Sequence, residues 1–497
     1  MKTILSFKNW PILVKIVLFI LLAYFPIFLH LDTLPVRLWD EARLAINAYE
    51  MNKDRDFLVT HYLGNPDMWN TKPPLMIWLQ VFFIKLLGVG ELAIRLPSAI
   101  AAFLTCLLIL SLSIKYLKDY WFGLIAVLIL ITSHGYINMH ASRTGDYDAL
   151  LTFFTTAFCF SFFLFLESHS NKYLHLFFAA LTLAVLTKSA QGLFFLPALF
   201  IYSLVKKQFI ALLKNKWLWI DLLICIAIIA GYYLLREIHN PGYLQAVWDN
   251  ELWGRYAQPS EGHGEDFGFY FNNFIAFQFP LWYWLIPCGI VFGCASNNPT
   301  IRNLSVFSAI AGLTYFLIAS SAKTKLEWYD VPLYPFLAVL CAVTISWLFV
   351  LLERSSSVLP KFKLNFTPYL FLLFVFYVPY RTIINKVYMP KEYVWDQEFY
   401  SLSYYLKQVI KGERNLDKKS LCYVGYNAPY LFYLCILDDC GKHLTFADMH
   451  TLKSGDVVIV MQPQVKTYLE EHYSCKIEID PCGITTYKIL EPIAHES

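Results

Sequence analysis

The sequence predicts a polytopic α-helical membrane protein of about 11–13 transmembrane helices with a small C-terminal α/β domain outside the cytoplasm. Three observations predict it. First, 57% of the 497 residues are hydrophobic and only 15% are charged, where a soluble domain carries about 25% charged residues. Second, apolar runs able to cross a hydrocarbon core, which takes roughly 20 residues, succeed one another as far as residue 384. Third, the short Lys-rich turns follow every second run, so they collect on one face of the membrane. The net charge of +3 says little, because charge here is informative by position.

The chain opens MKTILSFKNWPILVKIVLFILLAYFPIFLHL, with the basic start and apolar stretch of a signal peptide. No small-x-small cleavage site follows. The stretch reads as an uncleaved first span over residues 10–30, with Lys2, Lys8 and Lys15 marking the cytoplasmic side. Residues 72–88 are apolar but short and hold Gln80 and Lys85, which suits an interfacial helix along the outer leaflet. Span 93–114 then runs inward to Lys115 and Lys118. Spans 121–140, 149–166, 173–187, 190–205, 217–235, 270–294, 304–321, 331–352 and 366–384 continue the alternation. Were 72–88 a crossing, the basic turns after it would land outside.

This parity assigns residues 1–384 to a membrane domain with four outer loops, 32–92, 141–148, 236–269 and 321–330. Residues 385–497 form a second unit. There EFYSLSYYLKQVI reads as a helix, and SLCYVGY, DVVIVM and CKIEID read as short strands. Cysteines 106, 159, 225, 288, 294 and 341 lie in apolar runs as packing residues. The tail holds Cys422, Cys435, Cys440, Cys475 and Cys482, an odd set whose pairing sequence does not give.

The outer loops carry the chemistry. The first has Asp40, Glu41, Arg43 and Lys72; the second has Arg143, Asp146 and Asp148. The large loop has Arg255, Glu261, His263, Glu265 and Asp266, and the last has Lys323, Lys325, Glu327 and Tyr329. Carboxylates with a histidine suit a general base or a divalent metal site. Lys and Arg at the membrane surface suit a phosphate, with Arg bidentate and Lys a point charge. Blander roles exist for each: a helix start for the prolines after Lys72, a cap or dipole partner for Asp146 and Asp148, and interfacial snorkels for Lys323 and Lys325. Convergence of these segments on one side favours a site.

The segments WDEAR, TKPPLMIWL, RLPSA, SRTGDYDALLTFF, LTKSAQGL and KTKLEWYDVPLYP occur in an order and spacing that resembles the bacterial lipid-linked glycosyltransferases of the GT-C fold. The protein O-mannosyltransferase and lipid A aminoarabinose transferase group is the nearest in pattern, over residues 35–340. The resemblance implies a sugar donor on a polyprenyl phosphate and an acceptor (lipid A, protein or another envelope glycan) at the periplasmic face of a bacterial inner membrane. It implies Asp40 as base beside Glu41, with Arg43 and Lys72 on the donor phosphate. Asp148 matches the second-loop acid, whose role Asp146 could share or replace. His263, a candidate metal ligand, and Tyr329 fall where the family has a loop His and a late-loop Tyr. Many relatives have Glu directly before KPP, able to help bind a metal; here Thr71 stands there, so a divalent cation is left open. The rival reading is a transporter or flippase for a lipid-linked sugar or anionic lipid. Transporters, however, keep charges in mid-membrane and often carry internal repeats, and neither is evident here.

Overall fold

The computed structural model describes residues 10–252, 264–356, 366–392, 397–416, 418–479 and 484–493. Helix α1, Ile12–Phe28, leads through a loop to the amphipathic α2, Asp40–Asp54, and to a two-stranded hairpin, β1 His61–Tyr62 with β2 Asn65–Pro66. Then come α3 Leu75–Leu87, α4 Glu91–Leu112, α5 Tyr120–Ile131, α6 Asp148–Ser168, α7 Asn171–Lys188, α8 Leu196–Val205, α9 Phe209–Leu213, α10 Lys216–His239 and α11 Tyr243–Val247. Longer helices at Leu285–Cys294, Pro299–Ser321, Tyr334–Ser356 and Thr367–Tyr388 complete the bundle.

Among the described residues, seven helical segments are long and apolar enough to cross a membrane. Four shorter apolar helices, Ile12–Phe28, Tyr120–Ile131, Leu196–Val205 and Leu285–Cys294, fall in the remaining predicted spans. The protein is a multi-span membrane protein. Helix α3 has 13 residues, roughly 20 Å at 1.5 Å per residue, which is short of a hydrocarbon core of about 30 Å. Its Gln80 is fully buried and donates to the carbonyls of Ile94 and Gly145 at 3.2 and 3.0 Å.

Side-chain caps begin several helices where the chain needs a sharp start. Asp119 accepts from the backbone N–H groups of Trp121 and Phe122 at the head of α5. Asn215 does so for Trp217 and Asn298 for Thr300. Close packing is carried by small residues: a Cβ on Gly289 would stand 2.0 Å from the Leu340 carbonyl oxygen. Helix α10 lies at the periphery, with 11% of its apolar window buried, against 72% for α6.

Two predicted spans differ from the structure. Span 121–140 is helical only to Ile131, and residues 132–147 form an irregular loop. Span 270–294 is broken into a short helix Phe269–Asn273, one wide turn over Phe274–Gln278, and the Leu285–Cys294 helix. Prolines 280 and 287 sit inside or beside that break.

The C-terminal region folds as a five-stranded mixed sheet in the order β4-β3-β5-β7-β6, with β3 Ser420–Cys422, β4 Phe446–Ala447, β5 Val457–Val460, β6 Tyr473–Ile479 and β7 Thr485–Pro492. Strands β4, β3 and β5 are mutually parallel, and β7 is antiparallel to β5 and β6. Helices Gln397–Ile410, Ala428–Asp439 and Pro463–His472 accompany it. Cys422, Cys435, Cys440 and Cys475 are free thiols, and Cys482 lies outside the described residues. This region packs directly on the first loop. The Tyr433 hydroxyl accepts from Val36 N at 2.7 Å and donates to Glu91 at 2.8 Å. Lys407 pairs with Glu91 at 2.6 Å, and Tyr49 donates to Asp439 at 2.9 Å.

Candidate active site

Asp40 is the first residue of α2. Trp39, just before it, takes φ +70°, a left-handed conformation uncommon outside glycine. Its ring stacks on Tyr426 of the C-terminal region, with 4.6 Å between centroids. The turn places Asp40 and Glu41 in the first turn of the helix, where the dipole favours anions, and sends them opposite ways.

Glu41 is 1% exposed. Its carboxylate accepts from Arg95 Nε and Nη2 at 2.6 and 2.9 Å, from Arg37 N at 2.7 Å and from Gly145 N at 2.8 Å. Arg95 in turn donates to the carbonyls of Leu31, Leu34 and Pro35, each at 2.7 Å. Glu41 thereby ties α4, the loop before α2 and the loop before α6 into one frame.

The Asp40 side chain is 34% exposed, and its Oδ2 lies 3.9 Å from His140 Nδ1. His140 Nδ1 is also 3.3 Å from Asp146 Oδ2. Thr144 donates to the same Asp146 oxygen, and Ser98 donates to the Asp146 carbonyl at 2.9 Å. The His140 ring lies flat on Trp328, 3.5 Å between centroids and 7° between planes. Burial alone would raise the Asp146 carboxyl; His140 and Thr144 outweigh it and hold the group below its ordinary value.

A second set of groups lies beside this one. Asp148, the first residue of α6, pairs with Lys188, the last residue of α7, at 2.6 Å. The Lys188 ammonium sits 4.6 Å over the Tyr329 ring, next in sequence to Trp328. Lys72 pairs with Glu251 at 2.9 Å and stands 5.5 Å from the centroid of Tyr147. Lys72, Lys188, Gln191, Glu251, Tyr270 and Tyr329 line a cleft of about 610 Å³. Two cations, one carboxylate and aromatic walls in one cleft suit a phosphate and a sugar.

Of the residues singled out from sequence, Asp40, Asp146, Asp148, Lys72 and Tyr329 gather in this region, and Glu41 frames it. The others stand apart. Arg43 forms a two-point pair with Asp67 at 2.7 and 2.8 Å and lies over the rings of Tyr62 and Trp69. Burial pushes the Asp67 carboxyl up, but the guanidinium outweighs it and holds the group below its ordinary 3.8. Arg143 donates to the carbonyls that end α1, those of Ile27, Leu29 and His30. Lys325 donates to the carbonyls of Glu265 and Ala322 at 2.8 and 2.6 Å, and Lys323 is exposed. His263, with Arg255 and Glu261, lies outside the described residues.

The architecture matches solved structures over nearly its whole length. It aligns with ArnT from Cupriavidus metallidurans bound to undecaprenyl phosphate at TM-score 0.71 and 16% identity, covering 97% of this chain and 98% of that one. The chain has the GT-C fold. The archaeal oligosaccharyltransferase AglB from Archaeoglobus fulgidus, solved with an inhibitory peptide and a dolichol-phosphate, aligns at TM-score 0.56 and 12% identity, covering 97% of this chain and 74% of that one. In sequence, residues 71–233 match the dolichyl-phosphate-mannose-protein mannosyltransferase family. An uncharacterised Aquifex aeolicus protein is 28% identical over 313 residues, 61% of this chain. The undecaprenyl phosphate-alpha-4-amino-4-deoxy-L-arabinose arabinosyl transferase of Edwardsiella ictaluri is 27% identical over 331 residues, 65% of this chain. The matched stretch spans 58% of the length of each of these two relatives.

Asp40, His140 and Asp146 also form a candidate metal site, each offering one ligand atom within 4.8 Å of the others. Among the described residues, the buried Asp146 Oδ1 has no hydrogen-bond partner, which fits a cation-binding set of one imidazole and two carboxylates. Sequence reasoning missed His140 because it placed residues 121–140 inside a span. Lys188 lies within LTKSAQGL, where the resemblance gives it no role. Glu251 was also missed: it brings a carboxylate beside Thr71, 3.5 Å from the Thr71 hydroxyl.

Proposed function

We propose that this protein is a glycosyltransferase that moves a sugar from a polyprenyl-phosphate donor to an acceptor at the outer face of a bacterial inner membrane. Lipid A, a protein or another envelope glycan would be the acceptor. The observation that carries the reading is the juxtaposition, on a GT-C fold, of an accessible carboxylate, Asp40, with a cleft holding Lys72 and Lys188.

In the proposed reaction the acceptor nucleophile attacks the anomeric carbon and Asp40 takes its proton. The bond from that carbon to the phosphate oxygen breaks, and the polyprenyl phosphate leaves with the electron pair. Such a leaving group needs charge stabilisation more than protonation, and Lys72 and Lys188 are placed to give it. Asp148 holds Lys188 over Tyr329, and Glu251 holds Lys72 until a phosphate competes for its ammonium. Glu41 positions Asp40 by fixing the first turn of α2. A divalent cation held by Asp40, His140 and Asp146 would supply further charge neutralisation. The C-terminal region, residues 385–497, is read as a separate domain on the same outer side, covering the loop that carries Asp40.

Mass spectrometry of the detergent-purified protein tests the donor assignment. A co-purifying polyprenyl phosphate or phosphosugar is expected, with retention reduced about tenfold or more in Lys72→Ala. Equal retention by the variant would remove Lys72 from the site, and absence of any such lipid from the wild type would count against the donor class.

A further inference from the structure

A second cavity of about 640 Å³ opens on the far side of the loop that carries His140 and Asp146. Arg37, Arg95, Arg143, Lys386 and Lys391 line it, and among the described residues no Asp or Glu does. Arg95 has its countercharge in Glu41. Arg143 and Lys386 donate to uncharged groups: the carbonyls ending α1 for the first, Ile137 O and the Asn138 side chain for the second. Burial and the neighbouring Arg95 lower the Arg143 guanidinium to about 10, so it remains charged at neutral pH. The cavity is an electropositive recess at the ends of two membrane helices, α1 and Thr367–Tyr388.

Beneath it the same two helices, with α5, border an apolar groove of about 1160 Å³. Leu22 on α1 and Phe376, Tyr380 and Ile384 on the Thr367–Tyr388 helix line this groove, while His30 and Lys386 line the recess. From Tyr380 to Lys386 the helix climbs roughly 9 Å. The two helices are stitched at the groove, where the Tyr380 hydroxyl donates to the Leu22 carbonyl at 3.0 Å. An apolar trough between membrane helices, with a cation-lined recess at the ends of the same helices, matches one chemistry: an anionic headgroup on a lipid chain.

We propose that the recess and groove together form a binding site for a phosphate-bearing membrane lipid, separate from the cleft that holds Lys72 and Lys188. The inference does not depend on the transferase reading. It does connect the two regions physically. Thr144 lines the recess and donates to Asp146, and the charge of Arg37 acts on Asp146. A lipid in the recess therefore bears on the wall that presents His140 and Asp146.

Native mass spectrometry of the full chain in detergent, titrated with dioleoylphosphatidic acid, dioleoylphosphatidylcholine or inorganic phosphate, tests it. Retention of phosphatidic acid is expected in wild type and in Lys72→Ala, with the dissociation constant raised about tenfold or more in Lys386→Gln/Lys391→Gln. Phosphatidylcholine and inorganic phosphate are expected to bind much more weakly. The exposed Lys391→Glu, alone, serves if the double variant does not purify as a monodisperse species; it is expected to weaken phosphatidic acid in the same direction. Unchanged affinity in these Lys variants overturns the proposal, as does loss of the lipid in Lys72→Ala, which would place it in the cleft. Equal retention of phosphatidylcholine would show a groove indifferent to charge, and phosphate binding as tight as the lipid would show a free-anion site; either overturns the lipid assignment.

Discussion

Asp40 and Glu41 are neighbours that do opposite work, and burial decides which does what. Glu41 has its carboxylate filled by four N–H donors from three segments, so it is spent on structure, while Asp40 keeps an accessible oxygen near His140. Removing one partner of a buried ion pair leaves the other charge uncompensated, at a cost of about 3–5 kcal/mol. Glu41→Gln is therefore expected to lower thermal stability in detergent by that order, whereas Asp40→Asn should melt like the wild type. Matching melting temperatures for Glu41→Gln and wild type would contradict the framing role.

At the scale of elements, the site depends on the loop between α5 and α6 being held against α4. Gly145 is the contact point: its N–H reaches Glu41, and a Cβ there would stand 2.5 Å from Ile94 Cγ2 and 2.7 Å from the Ile94 carbonyl oxygen. Gly145→Ala must push the loop away and carry His140 and Asp146 with it. Transfer activity should fall about tenfold or more, since an ångström of misplacement costs that much or more, and full activity would show that the loop does not position the site. The sequence made most of the helices readable, because membrane burial demands long apolar runs whatever the tertiary packing. It drew attention to Asp40, Lys72, Asp148 and Tyr329, which the fold brings into one region, because these lie at helix ends or in short polar turns. It hid His140, because the residues after Ile131 remain apolar enough to read as a continued span. It hid the Arg43–Asp67 and Lys72–Glu251 pairs for a different reason: separations of 24 and 179 residues leave no local pattern.

Over the whole molecule, the C-terminal sheet region is bonded to the loop before α2 and to the head of α4 rather than merely tethered behind the last membrane helix. Tyr433 bridges the loop before α2 and the head of α4 through Val36 and Glu91, and Lys407 also reaches Glu91. Tyr433→Phe leaves the buried Val36 N–H without its acceptor, so a loss of about 1–3 kcal/mol is expected in thermal unfolding. An unchanged melting curve would mean the region docks by apolar contact alone. The central claim concerns what this assembly does. The most direct test incubates purified wild type and Asp40→Asn with a radiolabelled polyprenyl-phosphate sugar and membrane-extracted acceptor, and follows label into the acceptor. The account predicts transfer by the wild type and a loss of at least about 10²-fold in a folded Asp40→Asn. Wild-type rates in that variant would contradict it.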